Sequence, residues 1–312
     1  MGEAESLRHW LQTQIEQPFS EQVTALVEAI CARHGGAVAA VLLYGSCLRS
    51  GDPFDGLVDL YALVDDYTKV YSSHYLAFAN RLLPPNVFYL EVEVEGRILR
   101  AKYAILSRRD FARGMAWFQS YLWGRFAQPC RLLYQRDPEV SAWVAGCLLQ
   151  AMRTFVRRVA PLCPVCFAPA ELWQRGLTLS YLSELRTERA EVRAKELVAW
   201  ADEFYQAATL PLLRELPWRL KEEDGRVCLA IPSWTRVLAR MRWFAVIPLG
   251  KLLSLLRLIK ALFTFQGGVD YLVWKLERHT GKKIELPSYV RRHPLIYGWG
   301  MLWRLYRQGV FR

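Results

Sequence analysis

The stretch "LLYGSCLRSGDPFDGLVDLYALVDD", residues 42–66, contains two short apolar runs joined by a polar loop. The first run ends in Gly45 and Ser46, and the second carries Asp59 near its beginning. Short apolar runs bounded by turn residues predict buried strands. A glycine at a strand end lets the backbone approach a ligand closely, and a carboxylate on the next strand can face the same point. The stretch therefore predicts two neighbouring strands with a small polar site at one end.

The segments that follow and precede this stretch complete an α+β pattern. Apolar residues occur at helical spacing over residues 5–34, and residues 71–83 are predicted as a shorter helix. Residues 86–96 alternate between apolar and acidic side chains, and residues 97–106 are the predicted hairpin partner. We therefore predict a small mixed sheet with helices packed against it over residues 1–137.

The character of the sequence changes to helical after this first domain. Apolar residues recur at helical spacing over residues 140–162 and again over residues 170–216, and the link "CPVCFAP" lies between them. We predict two long helices that form a helical domain over residues 138–235. The remaining residues, 236–312, differ in composition and are predicted to form a third region.

The positive charge of the chain is concentrated in this third region. The whole chain has a formal net charge of +11. Residues 236–312 hold 15 Lys and Arg against three Asp and Glu, whereas the rest of the chain holds 26 basic and 27 acidic side chains. An enzyme that acts on nucleic acid more often carries positive charge around its catalytic cleft. The distribution therefore predicts no nucleic-acid partner and an anionic surface as the partner of the C-terminal region.

The third region is strongly apolar but does not have the pattern of a membrane span. Lys and Arg residues interrupt the apolar run of residues 236–268, and its uncharged runs are shorter than the roughly 18–20 residues that a bilayer span needs. Basic residues mixed with Trp, Phe and Leu are typical of an amphipathic helix in a membrane interface, and residues 293–312 repeat this composition. The alternative is an ordinary buried helix with solvated cationic edges.

Seven cysteines are scattered along the chain, and the close pair Cys163 and Cys166 has no second pair at zinc-ribbon spacing. This pattern predicts buried free thiols in a reducing compartment. The first residues, "MGEAESLRHW", lack the basic and apolar segments of a secretory signal, so we expect no such signal there.

Gly45, Ser46 and Asp59 together match the chemical needs of nucleotidyl transfer. Such a site holds a triphosphate, and a divalent metal neutralises charge on the reacting phosphate. Backbone N–H groups after a glycine, together with the Ser46 hydroxyl, can donate to phosphate oxygens. Asp59 suits Mg²⁺, which prefers carboxylate oxygen and keeps several waters. A second aspartate would be expected two positions further on, where the chain has Tyr61, so a strand-end turn with a surface carboxylate is the simpler alternative.

More of the chain carries related motifs. In order, they are "YGSCLRSG", "VDLYALVDD", "SSHY", "GRILRAKYAIL", "WFQSYLWGRFAQPCRLLY" and "GLTLSYLSELR", within roughly residues 40–200. This series resembles the mitochondrial-type phosphatidate cytidylyltransferases, the translocator assembly and maintenance family, which are peripheral membrane enzymes that make CDP-diacylglycerol from phosphatidic acid and CTP. In that family the strand corresponding to "DLYALVDD" also begins with one Asp followed by apolar or aromatic residues. The resemblance thus makes Tyr61 an expected residue.

The resemblance implies roles for the residues at the strand ends. Tyr44, Gly45 and Ser46 would form a phosphate-binding turn, with Ser46 also at the catalytic centre. Asp59 would be catalytic and would bind Mg²⁺ or another divalent cation. Because one carboxylate does not complete a metal site, a further ligand is expected from nearby acidic residues or from the phosphates of CTP. The candidates in the chain are Asp55 and Glu93, with Asp65 and Glu91 as alternatives.

The resemblance also implies roles for cationic side chains and for one histidine. Lys102 would neutralise phosphate charge at the catalytic centre, or would be a strand lysine that extends to solvent. Arg125 would hold a phosphate through two hydrogen bonds, or would form a structural ion pair. His74 would contact the nucleotide or cap a helix. Arg186 and Arg189 would reach the lipid headgroup, or would be solvated helix arginines.

Together, the residues and the resemblance predict an enzyme that transfers CMP from CTP to phosphatidic acid with release of pyrophosphate, in phospholipid biosynthesis. Residues 1–137 would be a nucleotidyltransferase-like catalytic domain, residues 138–235 would complete the substrate cleft, and residues 236–312 would dock on the membrane. Two other functions stay open: a nucleotidyltransferase with a non-lipid acceptor, and a non-catalytic membrane-surface binding protein on this fold. We expect a peripheral location on the cytoplasmic face of a bacterial inner membrane, or alternatively on the matrix side of a mitochondrial inner membrane.

Overall fold

A computed structural model of the chain describes residues 3–185 and 189–264. It confirms the predicted α+β class, because a five-stranded mixed sheet carries helices and a largely helical part follows it. Arg186 and residues 265–312, which include the second basic and aromatic stretch, lie outside the described residues.

The opening half of the described chain builds the main sheet. Its elements, in chain order, are α1 (Glu3–Ile15), α2 (Thr24–His34), β1 (Val38–Tyr44), α3 (Ser46–Ser50), β2 (Val58–Val64), α4 (His74–Leu82), β3 (Asn86–Val94), β4 (Arg97–Ser107), α5 (Arg108–Gly114), α6 (Trp123–Phe126) and β5 (Arg131–Gln135). The two strands predicted from the opening stretch are confirmed as β1 and β2, and the predicted hairpin is confirmed as β3 and β4. The helical pattern of residues 5–34 forms two helices, α1 and α2.

The second half of the described chain is mainly helical. Its elements are α7 (Pro138–Val159), β6 (Cys166–Phe167), α8 (Pro169–Leu182), α9 (Ala190–Trp200), α10 (Asp202–Arg214), β7 (Leu220–Glu223), β8 (Arg226–Leu229) and α11 (Ser233–Thr264). The first predicted long helix is confirmed as α7, which the Asp137 side chain caps. The second prediction, one helix over residues 170–216, is wrong. The chain leaves helical geometry at Ala201 (φ −112°, ψ 33°) and also turns after α8, so that α8 and α9 pack against each other.

The main sheet has the strand order β3-β4-β2-β1-β5, with β2 and β4 parallel and the other neighbours antiparallel. Its register places Tyr44, Asp59, Lys102 and Tyr89 side by side across four strands. Residues paired in this way point their side chains to the same face of a sheet. These four polar side chains therefore form one row, which we call the Asp59 row.

One hydrophobic core joins the face of the sheet that carries the Asp59 row to the helical part. Tyr61 of β2, Phe155 of α7 and Trp173 of α8 are fully buried in it. Helix α7 packs against α1, α6 and β5, so the predicted domain boundary at residue 137 lies within a shared core. The division into domains stays a prediction. A second core lies on the opposite face, where α2 packs.

A disulfide joins Cys166 to Cys228, contrary to the prediction that the cysteines are free thiols. β6 and β8 are antiparallel neighbours, and their register places the two residues opposite each other with their Cα atoms 4.0 Å apart. The two cysteines are 62 residues apart in the chain, so the short spacing between Cys163 and Cys166 did not indicate the pair. The other five cysteines, Cys163 included, carry free thiols.

Helix α11 is 32 residues long and has two different apolar sides. Trp243 and Val246 are buried in the shared core, and Gln119 donates from Nε2 to the carbonyl oxygen of Val246 at 2.8 Å. Met241 and Phe244 are on the other side and are 64% and 85% exposed. No helix in the described part of the chain is long and apolar enough to cross a bilayer. The helix thus packs on the protein along one side and presents apolar side chains outward.

Candidate active site

Gly45 has a backbone conformation that only glycine adopts readily. Its φ of 90° and ψ of −154° lie in a region that is essentially closed to residues with a Cβ atom. The space is also closed, because a Cβ atom here would lie 2.9 Å from Oδ2 of Asp59. Ser46 follows at the start of α3 and is exposed. The turn after β1 therefore brings backbone without a side chain against the Asp59 carboxylate.

Asp59 and Lys102 form an ion pair on neighbouring parallel strands. Nζ of Lys102 lies 3.1 Å from Oδ1 of Asp59, and the two side chains are 35% and 22% exposed. Apart from this ion pair, Oδ1 of Asp59 makes no hydrogen bond to the described residues. A partly exposed ion pair contributes only ~0–1 kcal/mol to stability. A ligand that offers a phosphate to the lysine and a cation to the aspartate can therefore replace the pair at little cost.

Tyr89 and two neighbours continue the polar surface beyond Lys102. The Tyr89 hydroxyl donates to Oε1 of Glu91 at 2.7 Å, and Nε of Arg100 donates to the same oxygen at 2.9 Å. Burial and then the Glu91 carboxylate raise the pKa of Tyr89. Glu91 thus accepts hydrogen bonds from both Arg100 and Tyr89.

The structure does not gather further carboxylates around Asp59. Across residues 3–185 and 189–264, no group of three His, Cys, Asp or Glu side chains is placed to hold a metal ion. Glu93 pairs with Ile98 near the hairpin tip, four residues along β3 from the Asp59 row, which is ~13 Å at strand spacing. Asp65 follows the opposite end of β2, where Nη1 of Arg136 lies 2.6 Å from its Oδ2. In this geometry neither Glu93 nor Asp65 can share a metal ion with Asp59, which corrects the prediction for Glu93.

Asp55 lies in the exposed loop between α3 and β2. Burial raises the pKa of the Cys47 thiol to about 12, and the charges of Asp59, Asp52 and Asp55 add to that rise. The charges of these three carboxylates therefore act on the segment that follows the turn. Mg²⁺ in phosphate-transfer sites is commonly held by one or two carboxylates, several waters and substrate phosphates. Asp59 fits that donor set. Among the residues that the structure describes, Asp55 stays a candidate for a second carboxylate ligand.

Arg125 lies beside the Asp59 row in a cluster of aromatic rings. Its Nη1 donates to the hydroxyl of Tyr61 at 2.8 Å, and its Nη2 lies 3.4 Å from Oε2 of Glu184. Its Cζ lies 5.4 Å from the ring centre of Tyr44 and 4.6 Å from that of Tyr121. The arginine side chain is only 14% exposed. The structural ion pair, one of the two predicted alternatives for Arg125, is therefore present.

The three phenols around Arg125 differ in their tendency to ionise. Burial raises the pKa of Tyr61 well above its ordinary value, and burial with the nearby carboxylate does the same for Tyr44. Burial also opposes ionisation of Tyr121, but the positive charges of Arg125 and Arg257 outweigh it and lower the pKa of this tyrosine. Tyr44 and Tyr61 therefore stay neutral at physiological pH.

Two of the other predicted residues, His74 and Arg189, have no hydrogen bond or ion pair to the Asp59–Lys102 pair among the described residues. His74 begins α4 and is exposed, and the hydrogen bonds and ion pairs found among the described residues do not connect it to Asp59. Arg189 is exposed just before α9. Arg186 lies outside the described residues. The roles of these three residues stay predictions.

Two residues of the aromatic cluster were missed by reasoning from the sequence. Tyr121 lies in the loop before α6, and its hydroxyl is 3.4 Å from that of Tyr61. Cζ of Arg257, on α11, lies 4.0 Å from the ring centre of Tyr121. These contacts join residues far apart in the chain, and contacts of that kind leave no spacing pattern in a sequence. In the sequence, only the aromatic residues inside the motif "WFQSYLWGRF" indicated that this part of the chain belongs to the site.

Comparison with known proteins does not identify the chain: no protein-family model matches it, and no curated protein matches it significantly. The family resemblance described above therefore rests on the quoted motifs. The function proposed below rests on those motifs together with the geometry of the Gly45 turn and the Asp59–Lys102 pair.

Proposed function

We propose that this chain is a phosphatidate cytidylyltransferase. The observation that carries the proposal is the close approach of the Gly45 turn, at the end of β1, to Asp59, near the start of β2, which is paired with Lys102 of β4. Glycine backbone, a carboxylate and an ammonium group lie close together there. Backbone N–H groups of such a turn, together with such charges, can hold a triphosphate and neutralise its charge. The motifs quoted from residues 40–200 support the choice of CTP as nucleotide and of a lipid as acceptor.

The reaction requires few acid–base groups from the protein. An ionised phosphate oxygen of phosphatidate attacks the α-phosphorus of CTP and forms the new P–O bond of CDP-diacylglycerol. The bond between the α-phosphorus and its bridging oxygen breaks, and pyrophosphate leaves with the electron pair. Because the acceptor is already anionic at neutral pH, no general base is needed. Catalysis then consists mainly of positioning and charge neutralisation.

The residues of the site would divide this work among them. Asp59 would hold the divalent cation, which when bound neutralises charge on the triphosphate. Lys102 would exchange its bond with Asp59 for one with a phosphate oxygen. Ser46 and the backbone after Gly45 would donate to the same triphosphate. Arg125, held by Tyr61 and by an ion pair, would position the turn through its contact with the Tyr44 ring.

A lipid acceptor also requires the protein to reach a membrane, and we propose that α11 makes that contact. Trp234, Met241 and Phe244 are exposed at helical spacing on its outward side. Arg240 lies in the same stretch and is exposed as well. Exposed apolar side chains with neighbouring cations are typical of a helix that lies in an anionic membrane interface. The proposed location is the cytoplasmic face of a bacterial inner membrane.

The proposal can be tested with purified protein, labelled CTP, phosphatidate in mixed micelles and Mg²⁺. We expect CDP-diacylglycerol to form. Asp59→Asn and Lys102→Gln should each lower the rate by about 10²–10³-fold, because each removes one charge at the reacting phosphates. Asp202→Asn, a carboxylate change at the start of α10, is the matched control and should leave the rate unchanged.

The same assay separates the other two functions. Use of CTP that does not depend on a lipid acceptor would indicate a nucleotidyltransferase with another acceptor. Binding to vesicles without any transfer would indicate a non-catalytic membrane-surface protein. If Asp59→Asn transferred CMP as fast as the unchanged protein, the strand-end site would not be the site of the reaction.

A further inference from the structure

A cavity of about 240 Å³ lies beside the aromatic cluster, between α4, α5, α11 and the loop before α6. Leu83, Leu122 and Leu253 contribute apolar wall from three separate segments. Pockets that enclose a whole small molecule usually measure ~300–1,000 Å³. This cavity is smaller, so it suits part of a larger ligand. Leu82 and Trp117 also line it, and they are 73% and 44% exposed.

The polar lining of this cavity is mainly cationic. Its charged residues are three arginines and one carboxylate, namely Arg81, Arg113, Arg257 and Asp110, and its uncharged polar residues are Gln119 and Tyr121. Asp110 accepts a hydrogen bond from the Tyr67 hydroxyl at 2.7 Å. Arg81 lies 3.6 Å from Asp66 in an exposed ion pair, which leaves its charge only weakly compensated. An excess of positive charge beside apolar walls favours a ligand that is both anionic and apolar.

Two contacts fix the position of Arg257 at the cavity. Its Nε donates to the carbonyl oxygen of Pro84 at 3.0 Å, and its Cζ stacks 4.0 Å above the ring centre of Tyr121. A guanidinium has five N–H donors in one plane, of which the bond to Pro84 uses one. A cation fixed in this way is preorganised to bind an anion, since little side-chain conformational entropy is lost when the anion binds.

The cavity adjoins the Asp59 row through its Tyr121 wall. The Tyr121 hydroxyl is 3.4 Å from the Tyr61 hydroxyl, and Tyr61 is the second residue after Asp59 on β2. Alternate residues of a strand share a face and are ~6.6 Å apart, so Tyr61 lies one step from the Asp59 row. An anion held beside Arg257 would therefore be near the site at which we place the triphosphate.

We propose that this cavity is the acceptor subsite, which binds the phosphate and glycerol part of a phosphatidate. Its phosphate would lie against Arg257, and the first carbons of its acyl chains would lie between Leu83, Leu122 and Leu253. The rest of each chain would stay in the membrane, beside the exposed wall residue Leu82. The proposal rests on the transferase activity proposed above, and it adds the place of the second substrate.

Four single variants on α11 form two matched pairs that test the subsite. Leu253→Trp fills the cavity and Arg257→Gln removes its fixed charge, whereas Leu252→Trp and Lys251→Gln make the same changes on neighbouring exposed positions. The substrate is dihexanoyl phosphatidate below its micelle-forming concentration, so that membrane docking does not contribute. Arg257→Gln should raise the KM for this substrate at least about tenfold, the usual size of a lost hydrogen bond to a charged group. Leu253→Trp should also raise this KM, because the larger side chain takes the space of the acyl carbons. The KM for CTP should not change, and the two neighbouring variants should behave like the unchanged protein.

Direct binding without CTP separates the subsite from the activity. Titration calorimetry should show that dihexanoyl phosphatidate binds the unchanged protein and that both cavity variants weaken it. Glycerol 3-phosphate and inorganic phosphate, which lack the apolar part, should compete poorly; equal competition would reduce the cavity to a simple phosphate site and overturn the proposal. Circular dichroism checks that each variant folds. If Leu253→Trp does not fold, the comparison of Arg257→Gln with Lys251→Gln is sufficient to test the subsite.

The failures of the two proposals look different. If CDP-diacylglycerol forms but the cavity variants keep the normal KM for dihexanoyl phosphatidate, the acceptor binds elsewhere and the subsite is wrong. If no CMP is transferred but the lipid binds and both cavity variants weaken it, the transferase is wrong and the cavity is no acceptor subsite, although it binds an anionic lipid. If the lipid neither binds nor reacts, both proposals fall.

Discussion

Tyr44 and Asp59 lie opposite each other in the antiparallel pairing of β1 and β2. The turn that follows Tyr44 is therefore aimed at the carboxylate, and the residue in that turn must satisfy two conditions. It needs a positive φ, and it must leave room for Oδ2 of Asp59. Gly45 meets both conditions, which makes it the position where the backbone and the proposed metal ligand depend most directly on each other.

Gly45→Ala should lower both the stability and the proposed activity. The new Cβ would meet Oδ2 of Asp59 at 2.9 Å, in a backbone region that costs about 1–3 kcal/mol for a residue other than glycine. We expect the rate of CMP transfer to fall at least tenfold, because relief of the clash moves Asp59. Gly51→Ala is the matched control, since Gly51 also has a positive φ (73°) but no atom within 4 Å of the added Cβ. Urea unfolding and the transfer assay measure the two effects, and an equal loss of activity in both variants would contradict this reading.

The residues of the site differ in how far the sequence alone could predict them. Gly45, Ser46 and Asp59 follow from a local pattern of strand, turn and strand, and their placement at one sheet end is observed. Tyr61 was notable in the sequence because it lies where a second aspartate was expected, but the sequence did not indicate that Arg125 is its hydrogen-bond partner. Its hydroxyl accepts a hydrogen bond from Arg125 at 2.8 Å, across 64 residues of chain. Such pairing depends on how α6 packs over β2, which no local spacing encodes.

At the scale of secondary-structure elements, strands β1 to β4 were easier to predict than the helices that follow α7, whereas β5 to β8 were not predicted. The local sequence of each strand from β1 to β4 indicates a strand, because burial on one or both faces of a sheet produces alternating or continuous apolar runs. The pattern of residues 170–216 predicted one helix because α8, α9 and α10 each bury one apolar side. The division at Ala201 comes from tertiary packing, since no proline or glycine marks it. The β6–β8 pairing and its disulfide were equally hidden, because the paired strands are short and distant in the chain.

His34, at the end of α2, joins that helix to the sheet and should make stability depend on pH. Its Nε2 lies 3.0 Å from the Tyr103 hydroxyl of β4, and burial lowers its pKa below the ordinary value of 6.5. The unfolded chain therefore takes up a proton at a higher pH than the folded protein does. The stabilisation is complete above about pH 6.5 and is lost as the pH falls through the lower, folded pKa. The charge of Arg33 also lowers the pKa of His34, and a backbone hydrogen bond with Val70 partly opposes the shift.

Urea unfolding at pH 7.5 and at pH 5 would measure this effect in three proteins. The unchanged protein should lose stability between the two values, and His34→Gln should lose less, because it no longer takes up that proton on unfolding. His9→Gln changes an exposed histidine of α1 and should keep the full pH dependence. A pH dependence that is the same for His34→Gln and the unchanged protein would show that α2 is not the source.

At the scale of the whole molecule, α11 connects the protein body, the aromatic cluster and the outward apolar side. Trp243 and Val246 belong to the shared core, and Arg257 reaches Tyr121. Deletion of residues 236–312 would therefore open the core as well as remove the proposed membrane contact. A loss of vesicle binding after such a deletion would not distinguish docking from unfolding. Changes confined to the outward side of the helix test docking while leaving the core intact.

Met241→Gln combined with Phe244→Gln should weaken binding to anionic vesicles by about 10²-fold or more. Burial of a large apolar side chain contributes about 1.5–3 kcal/mol, and both side chains are mostly exposed on the protein, so their contribution arises only on the membrane. Val165→Gln combined with Val192→Gln removes exposed apolar side chains from other segments and should leave binding unchanged. Vesicle sedimentation measures the partitioning, and an unchanged melting temperature confirms that the core is intact. Equal binding by the two double variants would mean that the outward side of α11 does not dock, and the membrane contact would then have to lie elsewhere on the molecule.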